Sequence, residues 1–306
     1  MKLNNYERVS LKEIKKWERE EHKEFHKKIL DVTSKPVDYL IKKIGSEKFK
    51  IFENTIGFTI KNLLHASKYT IKPEVLINRA HDHGVIIKDL SELKRCNLEF
   101  LDNCNRKNIK FHEKAAAVQG AVLGLGGALL GVADLTTILI QDFHMIQEIA
   151  FCYGYDPNDI VEKEIILRII EAAIGGSEIK FKALEEIKTL EDIENIKDKK
   201  QITKKSVSAL GSKAFKEIKT LKDIEDIKDK KQKIKKGVSV LGAKALEELI
   251  ESFTVNLLVR LVPRSLPVIS MVVSSHSNHE IMEHSGNTAF MIYRKRFLER
   301  KKKIVS

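Results

Sequence analysis

The chain has 306 residues, 42% of them hydrophobic and 32% charged, so it can bury a core and is not a disordered polypeptide. Its net charge is +12, but no aromatic residues are interleaved with the basic ones in the manner of an RNA-binding surface, so nucleic acid is not the expected partner. Three irregularly spaced cysteines, Cys96, Cys104 and Cys152, exclude a disulfide framework and point to a reducing compartment.

Only five prolines and fifteen glycines interrupt the chain, and Lys, Glu, Leu and Ile dominate, a composition that favours helices. The N-terminus has no apolar h-region, so cytoplasmic synthesis without a cleaved leader is expected. Val9, Leu11, Ile14, Trp17, Phe25, Ile29 and Leu30 recur near helical spacing and predict an amphipathic helix over 7–30. Thr33-Ser34-Lys35-Pro36 breaks it. Further helices are predicted over 37–44, 51–66, 73–81 and 90–105.

The most unusual stretch is Ala115 to Gln141, 27 residues with one ionisable side chain, Asp134. Such a run is either a membrane segment or the buried centre of a helical protein. Five glycines lie in its first half: Gly120, Gly124, Gly126, Gly127 and Gly131. Gly120/Gly124 and Gly127/Gly131 have G-x-x-x-G spacing, which lets another helix approach closely. The crowding at Gly124, Gly126 and Gly127 also favours a break or tight hairpin. Lys107, Lys110 and Lys114 precede the segment while Asp142 and Glu148 follow it, so its N-terminal flank is expected on the cytoplasmic side. Asp134 is either a functional group or a polar clamp to another helix, through Arg260 or Arg264. The glycines do not form a nucleotide loop: Leu129 stands where a dinucleotide fingerprint needs its third glycine, and no Gly-Lys-Ser/Thr follows.

Gly154-Tyr155-Asp156-Pro157 is a strong stop. Asn158 or Asp159 can cap a helix over 161–173, which Gly175-Gly176 ends. Residues 182–212 and 213–243 then form a tandem repeat, identical at 22 of 31 positions. Leu184, Ile187, Leu190, Ile193 and Ile196 space as one helical stripe, which the second copy reproduces. Two copies are too few for a free-standing solenoid, so the repeat reads as an amphipathic helical insertion, or as an arm for a partner or membrane surface. The apolar segments 115–153 and 253–278 are expected to pack together as the centre of the fold.

A helix over 279–302 closes the chain. Arg294, Lys295, Arg296, Arg300, Lys301, Lys302 and Lys303 against Glu299 give it a charge of +6, half of the total, and make it the expected anchor on an anionic membrane surface. Just before it, His276-x-x-His279-Glu280-x-x-Glu283 would put His276, Glu280 or His279, and Glu283 on one side of a helix, a possible divalent-metal set. Glu283 replaces the second histidine of H-E-x-x-H, and a solvated polar face is the simpler account.

Several stretches, in order, resemble the EcsC family. They are the Trp17 helix, Val32-Thr33-Ser34-Lys35-Pro36-Val37-Asp38, and Gly124-Leu125-Gly126-Gly127 with Gly131-Val132-Ala133-Asp134-Leu135. Ala150-Phe151-Cys152-Tyr153-Gly154-Tyr155-Asp156, Val262-Pro263 through Leu266-Pro267, Asn278 and the helix from Ala289 to Arg296 follow. Ser270 and Ser274-Ser275 stand where glycines are expected. The resemblance covers most of the chain outside the repeats. It implies a bacterial, helical, membrane-associated protein, and neither a reaction nor a catalytic residue.

The sequence therefore predicts an all-α protein: a helical bundle around a glycine-rich apolar helical hairpin, forming one domain over 1–306 with a helical repeat inserted at 182–243. The leading function is non-enzymatic association with the inner face of the cell membrane, without a cofactor. The role would be accessory to an ABC transporter, secretion or envelope process, with anionic lipid and membrane transport proteins as partners. A metal-dependent hydrolase built on His276, His279, Glu280 and Glu283, and a soluble interaction scaffold displaying the repeats, are the alternatives.

Overall fold

A computed structural model describes residues 3–20, 45–65, 96–124, 128–174, 177–198 and 267–303, with isolated positions between them. Among the described residues the fold is all-α, as expected, with no strand. The helices are α1 (Asn5–Arg19), α2 (Ser46–His65), α3 (Leu98–Gly124), α4 (Ala128–Cys152), α5 (Ile160–Ile174), α6 (Ser177–Asp198) and α7 (Pro267–Lys303).

Local chemistry explains several boundaries. The Asn4 side chain accepts from Glu7 N at 2.8 Å while the Glu7 carboxylate accepts from Asn4 N at 3.0 Å, a capping box that starts α1. The helix ends at Arg19, short of the predicted boundary at 30, and Glu20 is extended. Lys180 accounts for that stop. Its buried ammonium donates to Trp17 O at 2.8 Å and Glu20 O at 3.1 Å, and lies 4.3 Å from the centre of the Trp17 ring. A cation there satisfies carbonyls at the C-terminus of the helix and favours its dipole.

At the end of α4, Gly154 takes the left-handed conformation at φ 79°. Tyr155 N donates to Ala150 O at 2.9 Å and Gly154 N to Phe151 O at 2.7 Å, closing the last turn. Of the two predicted caps for α5, Asp159 does the capping: its carboxylate accepts from Val161 N at 2.7 Å. Helix α5 ends at Ile174 and α6 begins at Ser177; the predicted break at Gly175-Gly176 lies outside the described residues. Helix α6 carries the first half of the first repeat, with Ile187 and Leu190 of the predicted stripe buried. The rest of the repeat, residues 37–44 and residues 255–266 (with Arg260 and Arg264) lie outside the described residues.

Helix α7 is the central element. It packs on α1, α3, α4 and α5; α3 also packs on α4, and α5 on α6. Ile281, Met282, Ala289, Phe290, Ile292, Tyr293, Phe297 and Leu298 are buried along it. Its partners from α4 include Phe143, Met145, Ile146, Ile149 and Tyr153 in the same core. The predicted centre thus holds for the α4 part of 115–153. Its described partner is the helix read as a basic surface tail, which runs without interruption from Pro267 to Lys303.

Candidate functional site

The basic tail is largely consumed inside the protein. The Arg294 side chain is 2% exposed, with Nε 2.6 Å from Asp102 Oδ2, Nη1 2.6 Å from Glu13 Oε2 and Nη2 2.7 Å from Ser10 Oγ. The Arg296 fork meets both oxygens of Glu162, at 2.7 and 3.0 Å, its Nε lies 2.9 Å from Glu191, and its plane sits 3.9 Å over the Tyr155 ring. Burial alone would lower both guanidinium groups, but the facing carboxylates outweigh it and hold them charged. Arg294 and Arg296 are therefore interior groups, not membrane-facing ones, which corrects their assignment to a lipid surface. Lys295 pairs with Glu18 at 2.6 Å, Arg300 donates to Tyr153 O at 2.8 Å, and Lys301 pairs with the buried Glu7. Lys302 is exposed, and the Lys303 side chain lies outside the described residues.

These contacts give the Tyr153-Gly154-Tyr155-Asp156 stretch a physical role. Tyr153 OH donates to Asp102 Oδ1 at 2.7 Å, and Tyr6 OH to Asp102 Oδ2 at 2.8 Å. Asp102, Tyr6, Glu162 and Tyr293 are the residues that sequence reasoning missed. The available signals were an acid next to the apolar pair Phe100-Leu101, Asp102, and two arginines two apart. Residues two apart on a helix point about 200° apart, so each arginine requires its own carboxylate from a different neighbour. Burial raises the Asp102 carboxyl, and Arg294 with the two phenols pulls it back.

Helices α3 and α4 run antiparallel. Asp102 meets Tyr153, His112 Nε2 lies 3.3 Å from Glu148 Oε2, and Gln141 donates to Gln119. As the number rises along α3 it falls along α4. The Gln119–Gln141 pair lies on the side of the apolar glycine-rich stretch. Gly120, Gly124 and Gly131 lie in helical backbone, whereas Gly126 and Gly127, and the Asp134 side chain, lie outside the described residues. Among the described residues, no helix is long and apolar enough to cross a membrane.

Below the Gln119–Gln141 pair, Asp142 of α4 is fully buried. Neither of its carboxylate oxygens has a hydrogen-bond partner among the described residues, nor does the Ser285 hydroxyl of α7 beside it. Burial pushes the Asp142 carboxyl up to about 8, and Ser285 offsets only part of that rise. One residue on, the three helices are in close contact: a Cβ on Gly286 would lie 2.8 Å from Ile109 Cγ2 of α3 and 3.2 Å from Met145 Sδ of α4.

Of the suggested metal set, His279 and Glu280 are half-buried and Glu283 is exposed, while the His276 side chain lies outside the described residues. His279 and Glu283 both act on Glu113 of α3, whose carboxyl burial raises. Among the described residues, no three His, Cys, Asp or Glu side chains are placed to hold a metal ion.

Comparison with known proteins returns one family. The chain is similar to an uncharacterised protein, YdbA, of Bacillus subtilis (strain 168), at 26% identity over 181 residues. That match spans 58% of this chain and 65% of the relative, just under two thirds of its length. No solved structure matches. The model of the EcsC protein family matches residues 8–298, which takes in the Trp17 helix, the glycine-rich stretch, the Tyr153 turn and most of α7, and the chain belongs to that family.

Proposed function

We propose that this chain is a non-enzymatic, peripheral membrane protein of the bacterial inner membrane face, accessory to a transport, secretion or envelope process. One observation carries the reading. The α3–α4 pair is antiparallel, Gln141 meets Gln119 across it, and residues 120–133 toward its end contain no ionisable side chain. Gly120 to Gly124 on one arm and Ala128 to Ala133 on the other each advance about 8 Å at the helical rise. That length matches the roughly 5–10 Å to which interfacial elements enter the boundary between headgroups and acyl chains. It falls far short of the roughly 30 Å of a hydrocarbon core. The end of the pair therefore enters one leaflet.

Fractionation of the expressed chain tests this. The wild type is expected in the membrane pellet, retained through a high-salt wash and released by alkaline carbonate. Leu129→Glu, which puts a charge in the inserting stretch, should move it to the supernatant. A wild-type chain found in the supernatant without any wash would overturn the reading.

A further inference from the structure

Helix α3 carries an outward face of unusual chemistry. Between Asn103 and Val118, the residues Lys107, Lys110, Phe111, Lys114 and Val118 are all exposed. At 100° per residue these five fall within an arc of about 100°. Phe111 is 65% and Val118 66% exposed, large values for apolar side chains in mid-helix. The arc contains no acid, and neither Lys107 nor Lys114 makes an ion pair among the described residues. The acids nearest to it border one edge, where Glu113 lies by Lys110 and near Glu283 of α7.

Two features separate this face from the tail of α7. Lys107 and Lys114 make no ion pair among the described residues, whereas Arg294, Lys295, Arg296 and Lys301 are each paired with a packed carboxylate. Its apolar side chains point the same way as its charges, which is the pattern of an element lying in a headgroup layer. There the ring and the valine enter the acyl boundary, and the lysines snorkel to phosphate. A protein partner would instead be expected to meet an apolar centre with charges at the rim.

We infer that the Lys107–Phe111–Lys114–Val118 face of α3, with Lys110, is the surface that binds anionic lipid headgroups, so that α3 rather than the C-terminal tail orients the protein on the bilayer. The inference rests on the proposed membrane role and adds the site, the headgroup charge and the orientation. Phosphate-bearing anionic lipid is the occupant because three ammonium groups within two helical turns, only Lys110 of them with an acid beside it, require negative charge, and two exposed apolar side chains beside them require an apolar layer behind it.

The test is flotation of the full chain with vesicles of phosphatidylcholine, with and without phosphatidylglycerol, at low and high salt. K107Q/K110Q/K114Q should bind phosphatidylglycerol vesicles roughly a hundredfold more weakly than the wild type and lose most of the salt dependence. F111S/V118S should weaken binding to both kinds of vesicle. K302Q/K303Q on the tail should change neither. All these positions are solvent-facing or terminal, so unchanged far-UV circular dichroism is expected throughout. If the lysine variant floats like the wild type while Leu129→Glu does not float, the face is wrong and the apolar end alone carries binding. If K302Q/K303Q suffers the larger loss, the tail is the anchor. If the wild type floats with no vesicle, both this inference and the membrane role fall.

Discussion

Two carboxylates, Asp102 on α3 and Asp142 on α4, are equally buried, at 0% exposure, and are solved in opposite ways. Asp102 accepts from two phenols and faces Arg294, so its charge is distributed over groups from α1, the end of α4 and α7. Asp142 has only the Ser285 hydroxyl beside it and no hydrogen-bond partner among the described residues. Burial depth therefore does not decide whether a carboxylate stays ionised; the donors around it do. The first region is a charged joint that holds α1, α3, α4 and α7 together. The second is a neutral joint between α4 and α7, close to the proposed membrane end.

Breaking the other buried charged contact of α7, Arg296 with Glu162 of α5, should have the largest effect. Arg296 pairs bidentately with Glu162 under full burial, and removal of Glu162 takes away both of those contacts and leaves the buried guanidinium facing Glu191 through Nε. Glu162→Gln is expected to destabilise the fold by about 3–5 kcal/mol, read from denaturant midpoints. Arg296→Met with Glu162→Leu, which removes both charges, should recover most of that loss. If the single and double variants are equally unstable, packing rather than charge pairing holds α7 against α5.

The neutral joint should respond to pH in the direction opposite to an ordinary paired aspartate. The folded Asp142 carboxyl lies at about 8 against a usual value of 3.8, so the folded state holds its proton more tightly. Its contribution to stability is complete below pH 4, shrinks as pH rises, and is lost as pH passes through 8. Asp142→Asn mimics the protonated form and should flatten this dependence. At about 1.4 kcal/mol per unit, the variant should exceed the wild type by roughly 3 kcal/mol at pH 6, by more as the pH rises to 8, and match it below pH 4, in parallel urea titrations. Coincident pH profiles for the two proteins would show that Asp142 is not the group that titrates.

This contrast also explains what the sequence could and could not reveal. Short-range features were legible: the stripe of Ile14 and Trp17, Asp159 as a cap and Gly154 as a stop all depend on neighbours within a turn. The end of α1 at Arg19 was not, because it depends on Lys180, which is 163 positions from Trp17 in the chain. Nor was the central position of α7. Its buried face includes Asn278, Ser285, Thr288, Arg294 and Arg296, so its sequence reads as a solvated helix with a basic end. The carboxylates from α1, α3, α5 and α6 convert that pattern into an interior. The α3 lysines were visible but were read as a flank of the apolar stretch. Their isolation from acids is a three-dimensional property.

The smallest of these effects concerns the close packing beside the neutral joint. Gly286 is followed one turn later by the buried Ala289 and Phe290, so α7 has no freedom to tilt away locally. An added methyl would meet Ile109 Cγ2 at 2.8 Å, Ile109 Cγ1 at 3.0 Å and Met145 Sδ at 3.2 Å. The sulfur is on a flexible chain and can yield, but the β-branched isoleucine has one preferred rotamer in a helix and resists. Alanine in mid-helix would otherwise gain about 1 kcal/mol over glycine, so the clash must exceed that gain to show. Overpacking costs of about 1–3 kcal/mol leave Gly286→Ala destabilised by up to about 2 kcal/mol. Ile109→Ala in the Gly286→Ala background makes room for the methyl, and the two substitutions together should cost less than the sum of each alone. Strict additivity in thermal unfolding would mean that α3 and α7 are not in contact at this level, and that the close approach of the three helices around Asp142 is absent.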